Sequence, residues 1–364
     1  MSDKTPHSIL FLSPYPIGCA PSQRFKYEQY YPLLEANDFS ITTSSFVNHT
    51  FWKIIYKPGF LFQKVRYTLQ GYGVRFMDLF RLRSFDIVYV HLWVTPFGLP
   101  LFEWLVRLLA KKVIYDLDDM IYLGHTSEAN RRFINLKGKD KTPYLIKRAD
   151  HVIVSSPELF EYASGLNAKS SDISSTVDTD RFVNKGKSGD DGKLTIGWTG
   201  THSTSKYLHI LDAVFQKLAK EIEFKLIVIG DKDFECGNIE IDHREWSEET
   251  EVKELCDIDI GLYPLPFEQW IMGKSGLKAI TYMSMQIPCV AAAIGANMRV
   301  VEHEKTGYLV KTQEEWYDAI KTLAENPELR REMGTRGRQI AEKKFSIKAN
   351  VKHYLNVLNS LLEE

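Results

Sequence analysis

Short runs rich in β-branched and aromatic residues alternate along the whole chain with stretches of helical hydrophobic spacing. This is the pattern of an α/β protein with parallel sheets. In the first half it predicts strands over residues 8–13, 39–44, 86–91, 112–116 and 151–155. In the second half it predicts strands over 194–199, 224–230, 258–263, 288–292 and 307–310. Between the halves, residues 184–192 (Asn-Lys-Gly-Lys-Ser-Gly-Asp-Asp-Gly) are polar and rich in glycine, a linker by composition. The pattern then restarts with a strand and a glycine turn. The simplest reading is two Rossmann-like domains, 1–183 and 193–345, joined by that linker. From Glu314 onward the pattern is mostly helical, broken at Asn326-Pro327 and at Gly334 and Gly337. The last helix, over 346–364, is expected to pack back on the first domain. No internal repeat is visible.

One window departs from the rest. Residues 51–83 carry seven basic side chains and one acid, Asp78, with nine aromatics among them. Leu61, Val65, Leu69, Tyr72, Phe76 and Phe80 recur at helical spacing. Such a segment can lie on an anionic membrane surface. Alternatively the aromatic stripe packs on the first sheet as core.

Composition narrows the class. At 364 residues, 44% hydrophobic and 26% charged, the chain is globular and long enough for two cores. A net charge of −1 gives no case for nucleic-acid binding. The four cysteines are far apart with no C-x-x-C pair, which suits a reducing cytosol and argues against a zinc site or disulfide frame. The apolar start is too short for a signal peptide. The apolar stretch 99–110 is interrupted by Glu103 and Arg107 and is too short to span a bilayer. The expected location is cytoplasmic, with peripheral attachment to the inner face of the membrane through 51–83 as a further expectation.

Several places could carry chemistry. After the first strand, a Gly18 turn precedes a helical pattern containing Arg24, which puts backbone N–H groups at the sheet's carboxyl edge. There is no G-x-G-x-x-G fingerprint for a nicotinamide or flavin. His91 closes a buried strand at the same edge. Asp116-Leu-Asp-Asp119 closes the next strand, either to hold a divalent cation or to cap the next helix and bond loop amides. The capping reading is preferred, because no other cluster nearby in sequence completes a metal site. In the second half, Gly200 and Thr201 lead through hydroxyl residues to Lys206, a plausible diphosphate cradle at a helix start. Gly273-Lys-Ser-Gly-Leu-Lys278 opens another helix, with Lys274 and Lys278 four apart on one face. Two basic helix starts in one domain suggest a doubly charged anion; two solvated lysines are the plainer alternative.

In order and spacing, this set resembles the retaining glycosyltransferases of family 4, which have the two-domain GT-B fold. The landmarks are Phe85-Asp-Ile-Val-Tyr-Val-His91, Ala149-Asp-His-Val-Ile-Val-Ser155, Val177-Asp178 with Phe182, and Gly200 with Lys206. They continue through the segment 257–264, Gly276 to Pro288, Gly295 to Val310 and Asn326-Pro-Glu-Leu-Arg330. The resemblance implies two Rossmann-like domains facing across a cleft, the second binding a nucleotide sugar and the first the acceptor. It implies Lys206 as diphosphate contact, His91 as contact to the donor sugar, and Gly18 and Arg24 as glycine-loop positions. Departures from the family are specific. Thr201 stands where the family has arginine, and the E-x7-E glutamates would fall at Gly273 and Thr281. The GKxGxK stretch takes their place, as in a branch of related transferases, and Lys274 is expected to replace the lost positive charge.

The resulting expectation is a glycosyltransferase that moves a sugar, with retention, from a UDP- or GDP-linked donor to a glycan or lipid-linked acceptor in surface-polysaccharide assembly. His91, Lys206 and Lys274 are the expected catalytic residues. Gly18, Arg24, Asp119, Gly200, Thr201, Trp246, Glu251, Gly273, Ser275, Gly276, Lys278 and Asn297 are the expected substrate contacts. No metal or other cofactor is expected. The rivals are a sugar-nucleotide 2-epimerase of the same fold and a non-catalytic nucleotide- or glycan-binding homologue.

Overall fold

The computed structural model describes residues 5–124, 138, 140–187 and 192–363, so positions 188–191 of the expected linker lie outside the described residues. The chain forms two compact units. One comprises Met1–Ser175, Met272–Lys274 and Asn350–Glu364; the other comprises Thr176–Ile271 and Ser275–Ala349.

The first unit is built on a six-stranded sheet in the order β2-β1-β3-β4-β5-β6, with every pair parallel. Its strands are β1 (His7–Ser13), β2 (Phe39–Ser45), β3 (Ile87–His91), β4 (Lys112–Leu117), β5 (His151–Val154) and β6 (Ser170–Asp172). Helices cover both faces, so the central strands are apolar at nearly every position. Leu10, Leu12, Val88, Val90, Val113 and Tyr115 point into one core. Their alternate neighbours meet aromatic side chains on the other face: the Phe11 ring lies 5.3 Å from Tyr27 and 4.7 Å from Tyr89. The helix Ile347–Glu363 closes over that face, with Tyr354 4.5 Å from Tyr30 and its hydroxyl donating to the Lys26 carbonyl at 2.9 Å.

The second unit repeats the plan with the order β12-β11-β10-β7-β8-β9, again all parallel. Its strands are β7 (Leu194–Thr199), β8 (Phe224–Ile229), β9 (Ile241–Arg244), β10 (Ile260–Tyr263), β11 (Cys289–Ala292) and β12 (Gly307–Val310). The fold class is therefore α/β with two parallel, Rossmann-like sheets. In such sheets ligands bind beyond the carboxyl ends of the strands where the strand order reverses. Here the reversals fall between β1 and β3 in the first unit and between β7 and β10 in the second.

The basic, aromatic window takes a form that only part of the sequence pattern anticipates. Residues Leu61–Leu79 form one long helix, yet Leu61, Val65, Leu69, Phe76 and Phe80 are exposed, so the stripe is not core. The face turned inward carries Gly71, Arg75 and Asp78 instead. Arg75 is fully buried and ion-paired with Asp78 at 3.0 Å, and it donates to the Ser13 and Val94 carbonyls at 2.7 and 3.0 Å. A salt bridge and backbone carbonyls therefore seat this helix on the sheet, where the sequence suggests an aromatic stripe.

Candidate functional site

Two sets of predicted residues gather at the carboxyl edges of the two sheets. In the second unit the chain leaves β7 through Gly200 and Thr201. The Gly200 amide donates to the Ile229 carbonyl at 3.0 Å. A Cβ on Gly200 would come within 2.5 Å of the Trp198 ring and 3.0 Å of Lys278 Cε. Gly230, which follows β8 with φ +98°, faces it just as closely, because a Cβ there would fall 2.0 Å from the Gly200 carbonyl oxygen. Only glycine permits this approach of backbone to backbone. Thr201 begins the short helix His202–Ser205, which runs into a 3-10 turn carrying the exposed Lys206.

The loop after β10 reaches the same edge. Gly276 adopts φ +77° and starts the helix Leu277–Ser284, and a Cβ there would lie 3.0 Å from Val300 and 3.5 Å from Asn297 Oδ1. Asn297 is buried and donates to the Ala292 carbonyl at 3.0 Å. Lys278 sets its ammonium 5.4 Å from the Trp198 ring and 5.2 Å from the Tyr263 ring. Half-buried Ser275 sits in the turn itself. Trp246, whose Cβ lies 3.6 Å from a Cβ built on Gly230, donates through Nε1 to Glu251 Oε1 at 3.1 Å. Glu251 is buried, and its other oxygen lies 3.5 Å from Arg181. Gly200, Lys278, Gly276 and Asn297 are thus brought together around the β7/β10 reversal, with Trp246 and Glu251 beside Gly230.

The GKxGxK stretch divides between the units after Lys274. Gly273 sits flush on the loop after β4: a Cβ there would lie 2.8 Å from Met120 Cγ and 3.0 Å from its amide nitrogen. Lys274 is ion-paired with Asp119 at 2.6 Å. Burial lowers the Lys274 pKa, but Asp119 and Asp118 more than offset it, so the ammonium titrates above its ordinary range.

In the first unit, parallel register places His91 opposite Asp116 across β3 and β4. His91 Nδ1 lies 3.3 Å from Asp116 Oδ2, and the Tyr89 hydroxyl donates to the same oxygen at 2.8 Å. Lys26, fully buried, stands 3.5 Å from Asp116 Oδ1 and donates to the Val154 and Ile173 carbonyls at 3.1 and 2.5 Å. Burial works to raise the Asp116 pKa, yet Lys26, His91 and Tyr89 together hold the carboxyl below its usual range. Among the described residues, His91 Nε2 has no hydrogen-bond partner and faces Asp118 Oδ1, which has none either, at 3.9 Å. Asp119 accepts from the Met120 amide at 2.9 Å, so one carboxylate of the cluster does bond a loop amide. Among the described residues, no group of three or more His, Cys, Asp or Glu is arranged to hold a metal ion.

The loop after β1 is more occupied than its sequence suggests. Gly18 has φ +78°, and its amide donates to Glu28 Oε2 at 2.9 Å, while Gln23 donates to the other Glu28 oxygen at 2.8 Å. The next helix, Pro21–Arg24, is only four residues long, and Arg24 is buried with its guanidinium 4.8 Å from the Phe25 ring. Sequence reading passes over Lys26, Glu28 and Gln23, because nothing local marks them; their partners lie on strands remote in sequence or across the loop.

Burial pushes the Asp118 carboxyl up to about 6; Asp119 and Asp116 add to the shift and His91 opposes it. A carboxyl whose pKa is higher folded than unfolded holds extra proton in the native state between roughly pH 4 and 6. Its contribution to stability is therefore lost as pH rises through that window. Asp118→Asn is expected to remove this slope and to stabilise the protein above that window by about 3 kcal/mol. Urea unfolding at mildly acidic and mildly alkaline pH checks it; a variant that keeps the wild-type slope shows that another group titrates there.

Comparison with known proteins is consistent with this geometry. Residues 193–326 match the sequence model of the family "Glycosyl transferases group 1". Over 160 residues the chain is 25% identical to N-acetyl-alpha-D-glucosaminyl L-malate synthase of Bacillus anthracis, 41% of each protein. The chain spans less than half the length of the curated relatives it matches. Among solved structures, sucrose-phosphate synthase from Thermosynechococcus elongatus superposes with a TM-score of 0.70 at 15% identity, over 98% of this chain and 99% of that one. HepE of Anabaena, crystallised with UDP and glucose, gives 0.65 at 16% identity over 97% and 100%. The fold is the GT-B fold, and its second half resembles the group 1 glycosyltransferases.

Proposed function

We propose that this GT-B chain, with its group 1 glycosyltransferase segment, is a hexosyltransferase that uses a nucleoside-diphosphate sugar, UDP- or GDP-linked. The single observation that carries the reading is the convergence of Gly200, Lys278, Gly276 and Asn297 at the β7/β10 reversal, inside the segment that matches the group 1 family. Glycine turns opening a helix, with the Lys278 side chain beside Gly200, suit a diphosphate. That HepE is seen with UDP and glucose supports the donor class. The acceptor is a glycan or lipid-linked hydroxyl, as in surface-polysaccharide assembly.

In the proposed step the acceptor oxygen forms a bond to the anomeric carbon as the bond from that carbon to the phosphate oxygen breaks. Attack from the face of the departing phosphate gives retention, and the acceptor proton leaves with the nucleoside diphosphate. Lys206 and the backbone amides of the β7 loop stabilise the leaving charge. Lys274 already holds a carboxylate, Asp119, which a phosphate would have to displace. Lys274→Ala is therefore expected to weaken nucleotide binding less than Lys206→Ala. Transfer is expected to proceed without a metal; activity lost in EDTA and restored by Mn²⁺ or Mg²⁺ would instead make the Asp116–Asp119 cluster a metal site.

Thermal-shift screening with UDP, GDP, ADP and their sugars tests the reading. A shift with one nucleotide and its sugar is the expected outcome, and no shift with any of them removes the proposal. A sugar nucleotide isomerised without acceptor would favour the 2-epimerase of the same fold.

The membrane belongs to the same reading. No helix of the described residues is long and apolar enough to cross a bilayer. Residues 51–83 are proposed to hold the protein on the inner, anionic membrane surface. There each exposed basic residue contributes on the order of 1 kcal/mol.

A further inference from the structure

The helix Leu101–Leu109 lies beside the helix Leu61–Leu79. Tyr72 of the longer helix stands 5.7 Å from Phe102 and donates through its hydroxyl to the Phe97 carbonyl at 2.8 Å. Tyr72 is a member of the apolar stripe, between Leu69 and Phe76, so the stripe runs along the side of its helix that meets the second helix. That second helix buries Glu103 and Val106 and exposes Leu101, Trp104 and Leu108, positions that share one face at helical spacing. Leu99, just before it, is 82% exposed. Both helices thus turn large apolar side chains outward, far more than scattered surface hydrophobics require.

The charge around these side chains has one sign. Between residues 49 and 84 the only acid is Asp78, and between 92 and 112 it is Glu103. Both are buried and answered from inside: Asp78 by Arg75 and Arg81, and Glu103 by Lys141 at 3.2 Å and the Thr95 amide at 3.1 Å. The exposed charges on these segments include Lys53, Lys57, Arg66 and Arg83, and none is acidic. Arg75, which the sequence counts among the basic residues of the window, contributes nothing outward.

We infer that the exposed faces of the helices Leu61–Leu79 and Leu101–Leu109 form one docking surface for an anionic bilayer, with Trp104 and Leu108 inserted at the headgroup level. The apolar side chains enter the acyl boundary, the lysines and arginines meet lipid phosphates, and Trp104 brings an amphipathic ring of the kind that settles at the interface. An uncharged membrane would leave the basic fringe unmatched. The inference rests on the membrane reading of 51–83 and extends it to a second helix, which carries no charge signal of its own in the sequence.

The test is sedimentation of the full chain with vesicles of phosphatidylcholine, alone or mixed with phosphatidylglycerol. Wild type is expected to bind the mixed vesicles and not the neutral ones. The variant Leu101→Gln/Trp104→Gln/Leu108→Gln is expected to lose at least tenfold in vesicle affinity while keeping its thermal midpoint, since all three side chains are exposed. The variant Lys53→Ser/Lys57→Ser/Arg66→Ser is expected to lose a similar amount. If the charge variant falls off and the leucine–tryptophan variant binds like wild type, the membrane reading stands and this extension is wrong. If wild type ignores anionic vesicles, both are wrong. A concentration-dependent dimer that the leucine–tryptophan variant abolishes would assign the face to a second copy of the chain.

Discussion

Lys26→Met is expected to destabilise the first unit by about 3–5 kcal/mol, because it leaves the Asp116 carboxylate buried without its cation. Against a typical total of roughly 5–15 kcal/mol, that is a large share of the stability. The side chains of Lys26 and Asp116 are both wholly buried, and Lys26 also satisfies the Val154 and Ile173 carbonyls, so its loss strands three acceptors. Adding Asp116→Asn to Lys26→Met should recover part of the loss, since the uncompensated charge is then gone. Urea unfolding of wild type, both single variants and the double variant measures the coupling. Additive losses would mean that the two groups do not sense each other and that the 3.5 Å separation carries no electrostatic weight.

His91→Gln is expected to keep the nucleotide thermal shift and to lose about 10- to 100-fold in turnover, the effect of one hydrogen bond to a charged or developing-charge partner. His91 closes β3 at the strand-order reversal, its Nδ1 is directed by Asp116, and its Nε2 has no hydrogen-bond partner among the described residues. A ring held by one nitrogen leaves the other for a ligand, which in the proposed reading is the donor sugar. Glutamine keeps a polar side chain of similar reach in a site with no exposure to spare. Turnover of a sugar donor, compared with the nucleoside-diphosphate shift, separates the two roles. A folded variant with wild-type turnover would make His91 a structural partner of Asp116 only.

The central strands were legible because both faces of each sheet are covered, which turns buried strands into continuous apolar runs that periodicity detects. Of the four outer strands, β6 and β9 were not: Ser170-Ser-Asp172 and Ile241-Asp-His-Arg244 are short and polar, as edges half open to water allow. The exposed stripe of the Leu61–Leu79 helix was visible as a stripe, with surface and core both open as its destination. Which side faces inward is decided by Arg75 and its partners on remote segments. The second-unit loops were readable from glycines, hydroxyls and lysines close in sequence. The His91–Asp116–Lys26 cluster was half readable: two members end adjacent strands, while Lys26 is marked only by contacts 90 or more residues away in sequence. The pairing of Lys274 with Asp119 had no local signal either, since it joins positions 155 residues apart.

The central claim is that the β7/β10 edge of the second unit binds a nucleoside diphosphate, and titration calorimetry on wild type and Lys206→Ala addresses it directly. With UDP and GDP as titrants, one nucleotide is expected to bind wild type. Lys206→Ala should bind it roughly 10- to 100-fold more weakly, the cost of one charge-assisted contact at about 1.4 kcal/mol per tenfold. The free nucleoside should bind both proteins alike, because its base contacts are untouched. Equal nucleotide affinity in the two proteins, or no binding to wild type, would contradict the account.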